Sequence, residues 1–186
     1  MGYHSQSKSE LNAGKSVQHH GHSVLDDYLL LRLIHILSAV VVAGTGAGIA
    51  FFLLMAYRSK NWVALAVTAR HVILADWIFT APAVFIQLVT GLLLTHQLGY
   101  SLTSVWFIVV VSLFIFIGLC WLPVVYIQYR IAQTTESVLE QDLQKNDTNV
   151  QGLKRLMRYW TGLGVLAFSA IIVMFWLMIV KPLAVV

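Results

Sequence analysis

Charge is what this sequence has least of. Of its 186 residues only 11% are Asp, Glu, Lys or Arg, while 59% are hydrophobic, and the mean hydropathy is +0.78. A soluble domain carries roughly 25% charged residues, so the composition excludes an ordinary soluble fold. Cysteine is nearly absent: Cys120 stands alone, which rules out an intrachain disulfide and leaves the redox compartment open. Proline occurs three times: Pro82 and Pro123 fall within the second and third apolar runs, where each frees a carbonyl and permits a kink, and Pro182 closes the fourth. The net charge of +4 is spread over connecting segments and forms no basic patch interleaved with exposed aromatics, so nucleic acid is not an expected partner. No zinc-protease helix, nucleophile elbow or P-loop is present. The first 28 residues have no apolar core of the kind a cleaved signal peptide needs, so the first apolar run is expected to direct insertion itself.

What the sequence does have is four long apolar runs: Leu33–Tyr57, Val72–Thr95, Leu102–Gln128 and Thr161–Ile179. Each can cross a hydrocarbon core of about 30 Å as a helix rising about 1.5 Å per residue. Strands with open edges are excluded, because lipid cannot satisfy their backbone polar groups. The expected architecture is an all-α integral membrane four-helix bundle over residues 29–186, with helices near 29–58, 63–96, 102–133 and 159–183. Residues 1–28, rich in Ser, Gly and His, are expected to form a mostly disordered polar tail.

Lys and Arg set the expected orientation. Arg58, Lys60 and Arg70 fall between the first and second runs, and Arg130, Lys145, Lys154, Arg155 and Arg158 between the third and fourth. The connection between the second and third runs carries none, so the positive-inside rule places both termini outside the cytoplasm. Thr148 and Gln151 fit a capping box, and Val150, Leu153, Leu156, Met157 and Trp160 share one face of a helix. Residues 148–160 therefore read as a cytoplasmic amphipathic segment lying on the inner surface, or as a solvated extension of the fourth helix. Trp62, Trp106 and Trp160 fall where membrane interfaces are expected.

The polar residues inside the runs carry whatever chemistry there is. Asp76 is the one acidic residue within a run, and an Asp at mid-membrane costs about 2.5–3.5 kcal/mol on insertion scales. It is a candidate catalytic proton relay or ligand-binding group; the structural alternative is a buried pair with Arg58 or Arg130, helped by Thr80 one turn on. His35 lies below the outer interface, and a neutral imidazole is a good iron or copper ligand. His96 is its expected partner by depth. His71 lies at the other end of the second helix, roughly 35 Å from His96 at the rise of an α-helix, so it would serve a separate site. For all three histidines the alternative is an ordinary hydrogen bond to a neighbouring helix, water or a headgroup. Gly44 and Gly48 form a GxxxG pair suited to close helix packing. Gly46, on nearly the same face as His35 three turns away, offers space for a flat cofactor. The histidines at 19, 20 and 22 could bind Ni, Cu or Zn only loosely.

Three stretches resemble a family of predicted integral membrane proteins of unknown function: Leu31-Arg32-Leu33-Ile34-His35-Ile36-Leu37 with the glycine-rich stretch and Arg58, Ala75-Asp76-Trp77-Ile78-Phe79 with Thr90-Gly91, and Leu177-Met178-Ile179-Val180-Lys181-Pro182. The likeness spans about residues 29–183. More distantly, the first and last helices resemble HemJ, a membrane protoporphyrinogen oxidase with haem, and the membrane domain of the copper-handling protein CopD. The HemJ likeness implies a haem role for His35. It also implies a lysine in the third helix, and this chain has none there.

The resulting expectation is a multi-pass protein of a bacterial inner membrane, in contact with the lipid bilayer. Its leading function is that of a b-type haem protein handling electrons or porphyrin, with His35 and His96 as metal ligands and His71 and Gly46 as further cofactor contacts. Two alternatives stand beside it: a small transport or metal-handling protein, and a structural subunit of a homo-oligomer or larger membrane complex.

Overall fold

The computed structural model describes the backbone of residues 3–140 and 147–180, and the side chains of 26–139 and 150–180. It is helical: α1 (Tyr3–Arg58), α2 (Trp62–Ala75), a five-residue π-helical turn (Asp76–Thr80), α3 (Ala81–Gln97), α4 (Val105–Glu140) and α5 (Asp147–Val180). Since α2, the π turn and α3 form one continuous rod, the described residues form four helices long and apolar enough to cross a membrane, as the hydropathy predicts.

Local chemistry sets the helix ends. The first hairpin turns at Lys60, whose φ of 55° is left-handed, and Asn61 then caps α2 by accepting the Ala64 backbone N–H at 3.0 Å. At the other end of the second span, Gly99 (φ 66°) closes α3: its N–H reaches the His96 carbonyl and the Tyr100 N–H reaches the Thr95 carbonyl, the two bonds of a Schellman motif. The π turn sits immediately before Pro82. A proline cannot donate to the ladder and its ring crowds the carbonyl four residues back, so the backbone shifts register there, with the Ala81 N–H bonding the Asp76 carbonyl.

Three expectations change. The segment before residue 29 has helical backbone from Tyr3, continuous with α1, in place of a disordered tail; once the apolar part nucleates a helix, extending it through a proline-free stretch adds one bond per residue fixed. The histidines at 4, 19, 20 and 22 lie outside the residues with described side chains. The fourth helix starts at Asp147, not near 159, so the amphipathic segment is an extension of that helix, the second of the two readings above, and not a separate segment. Its apolar face is the one predicted, but it packs on protein: Leu153, Met157 and Trp160 are buried with Leu65, Ala69, Val72, Ile131 and Ala132. Trp160, expected at an interface, is thus a core residue. Thr148 lies outside the described side chains.

That cluster, with Ile49, Leu53, Val124 and Ile127, forms the tight end of the bundle, the end near Arg58, Arg70 and Arg130. There α2 packs on α4, α1 on α2, and α4 on α5. Towards the opposite end α1 stays against α3 and α4 against α5, while α1 meets α5 only briefly and α3 has no substantial packing on α4. The two hairpins therefore close at one end and part at the other.

Candidate functional site

The parting leaves a cleft of about 500 Å³, lined by all four spans. Small residues make the room: Ala39, Gly46 and Ala47 from α1, Gly118 from α4, Gly164 from α5. A Cβ built at Gly46, Gly118 or Gly164 would meet nothing within 4 Å. The same holds at Gly44 and Gly48, so among the described residues no neighbouring backbone uses the GxxxG pair for close packing. The walls are aliphatic and aromatic, with Phe51, Phe114, Phe168 and Phe175 among them.

The floor is polar. Asp76, at the start of the π turn, is 4% exposed and Thr80 5%. Both continue the inward stripe of Leu65, Ala69 and Val72. The Trp121 indole N–H of α4 donates to one Asp76 carboxylate oxygen at 3.3 Å. Thr80 and Gln128 approach the same carboxyl group without forming a proper hydrogen bond. Five buried polar atoms have no partner here: Asp76 Oδ2, Thr80 Oγ1, both amide atoms of Gln128, and the indole nitrogen of Trp160. Native interiors hold few such atoms, and each group left unpaired costs about 1–3 kcal/mol. All four residues line the cleft. The expected pairing of Asp76 with Arg58 or Arg130 does not form: both arginines are exposed, and among the described residues the ion pair is Arg70 with Glu136, at 2.7 Å on the bundle surface.

His35 belongs to a separate polar set further up. Its Nδ1 is 2.8 Å from Thr90 Oγ1, which itself donates to the Ile86 carbonyl at 2.6 Å, so the ring nitrogen is the donor in the first bond. Its Nε2 then accepts from the Gln87 amide at 2.9 Å, and the Gln87 carbonyl oxygen accepts from Ser38 at 2.5 Å. Gly91 makes the close approach possible, because a Cβ there would lie 3.3 Å from the His35 ring. Gln87 lines the cleft, so one amide stands between the histidine and the open space. Along α3 and the π turn it lies eleven residues from Asp76, roughly 16 Å at helical rise.

His96 and His71 are exposed at opposite ends of the second span and neither joins His35. Among the described residues no three His, Cys, Asp or Glu side chains gather as a metal site. Gly46 lines the cleft. Of the other residues at the site, the sequence marks Gln87 and Gln128 only as polar groups near helix faces or ends and Trp160 only as an interface residue on an apolar helix face, and it does not single out Trp121. The signal for the glutamines was present, since each is an uncharged polar residue inside an apolar run; the tryptophans carried none, because an indole in a membrane helix is unremarkable until its N–H is seen to lack a partner.

Comparison with known proteins adds a family and no activity. The family described as "Predicted integral membrane protein (DUF2269)" matches residues 29–182. No curated protein and no solved structure matches.

Proposed function

From the premise that the chain belongs to this DUF2269 family of predicted integral membrane proteins, we propose that it is an intramembrane binding protein, in a bacterial inner membrane, for a lipid-soluble molecule with a polar head. The observation that carries the reading is the coincidence of two features in one place: an apolar cleft and, at its floor, four buried side chains with unpaired polar atoms. An apolar pocket with a few convergent polar groups is the ordinary form of a small-molecule site. Here the apolar walls suit a ring or chain drawn from the bilayer, and the floor suits a head that can both donate and accept hydrogen bonds. The brief contact between α1 and α5 leaves a lateral way in from lipid. Such a protein would carry, present or protect its ligand, and the transport class of function follows most directly.

The test fills the cleft. Gly118→Phe places a ring where nothing stands within 4 Å of the new Cβ. Purified wild-type protein, extracted with organic solvent and examined by mass spectrometry, is expected to yield a stoichiometric small molecule that the variant lacks, with thermal stability retained. The same molecule in equal amount from both proteins would refute the reading.

Haem b held through His35 is the second reading. Thr90 fixes Nδ1, the arrangement that orients an imidazole for a metal. The rest of the expected set does not fit: Nε2 is taken by Gln87, and His71 and His96 are elsewhere. A Soret band with sharp reduced bands, lost in His35→Ala, would support haem; a flat spectrum from a haem-replete host would remove it.

A further inference from the structure

The cleft's electrostatics narrow the class of ligand. Among the described residues lining it Asp76 is the one that can carry a charge, and none of them is a Lys, Arg or His that could receive an anion. From α1 the cleft is faced by alanines, Gly46 and aliphatic or phenyl side chains; from α3 by Val84 and Gln87; from α4 by Phe114, Trp121, Val124 and Gln128; from α5 by Trp160, Thr161 and Phe168. None of these titrates in the ordinary range. Arg58, Arg70, His71 and Arg130 are exposed, and Cys120 is buried but does not line the cleft. A phosphate, carboxylate or sulfate head would therefore meet no counter-charge and would stand beside a carboxyl group. Three of the unpaired atoms are oxygens that can accept: Asp76 Oδ2, Thr80 Oγ1 and the Gln128 carbonyl. Two indoles, Trp121 and Trp160, line the same floor, and Trp121 turns its N–H to Asp76.

A carboxyl group in such surroundings has two stable conditions. It keeps its proton, or it ionises against a cation; an unpaired buried carboxylate is too costly to persist. Resting on the cleft being a ligand site, we infer that its ligand is a lipid-soluble organic cation whose positive head sits against Asp76 and displaces one proton from that carboxyl group to water. The O–H bond of Asp76 breaks, the carboxylate pairs with the cation, and the net charge of the site is zero before and after. Binding and protonation are then mutually exclusive at one residue, the minimum device for exchanging a cation for a proton.

The experiment uses the full-length protein in detergent with tetraphenylphosphonium as the probe, followed by tryptophan quenching and by calorimetry in two buffers of different ionisation enthalpy. The expected result is saturable binding that tightens by about tenfold per pH unit while Asp76 holds its proton, with about one proton released per cation. Asp76→Asn should lose both the proton release and the pH dependence, and Asp76→Glu should keep them, which separates loss of the group from loss of the fold. A second probe, the uncharged decyl-benzoquinone, separates the two readings. If it binds and the cation does not, or if the cation binds Asp76→Asn as well as wild type, the inference is overturned while the cleft remains a ligand site. If neither probe binds, both readings fall.

Discussion

Replacing Gln128 by Met should make the ligand-free protein more stable. Gln128 is 1% exposed, and both its amide nitrogen and its amide oxygen lack partners. A buried polar group in that condition costs about 1–3 kcal/mol. Met has nearly the same length and volume, carries no strong hydrogen-bonding group, and loses similar rotamer freedom, so the change should return most of that cost. At about 2–4 °C per kcal/mol for a chain of this size, the unfolding midpoint should rise by roughly 2–12 °C. Gln87→Met is the control with the opposite sign. That amide donates to His35 and accepts from Ser38, so its removal leaves a half-buried imidazole nitrogen unpaired and should lower stability by about 1–3 kcal/mol. The assay is intrinsic tryptophan fluorescence during heating, in one detergent, on protein stripped of bound small molecules. A Gln128→Met protein less stable than wild type by about 1 kcal/mol or more would mean that the amide is satisfied within the protein. The polar floor would then be ordinary core, and the case for a ligand would lose its main support. A gain in stability joined to weaker ligand binding is the trade expected of a residue held for function.

Leu153→Ala should cost about 2–5 kcal/mol in the same thermal assay, because the side chain is fully buried in the core cluster where α5 packs on α4; a surface-lying segment would lose far less. Gly91→Leu should cost about 1–3 kcal/mol by forcing the His35 ring out of place, and should leave little further effect of His35→Ala when the two are combined. Arg70→Ala should change stability by less than about 1 kcal/mol, since its pairing with Glu136 is solvent-exposed, and the small effect should fade with added salt.

The sequence alone determined the number of apolar spans, their helical form and their solvent. Those follow from a one-dimensional property: lipid leaves a long apolar run no option but a helix that satisfies its own backbone. It also marked His35, His71, Asp76 and His96 as the groups to explain, because the cost of a polar side chain in hydrocarbon is a property of the residue and its depth; the structure buries Asp76 and half-buries His35 and leaves the other two exposed. Which polar groups find partners was decided by tertiary structure. His35 and Gln87 are about fifty residues apart and meet only because Gly91 lets α1 approach α3. Asp76 turns inward beside Trp121 because it continues the buried stripe of Leu65, Ala69 and Val72, whereas Arg58 and Arg130 stay exposed and do not reach it. Gln87 and Gln128 look alike in the sequence, each a lone amide in an apolar run. In the folded chain one is bonded at both ends and the other at neither, since satisfaction depends on what the neighbouring helix presents within 3.5 Å, a distance no local pattern encodes.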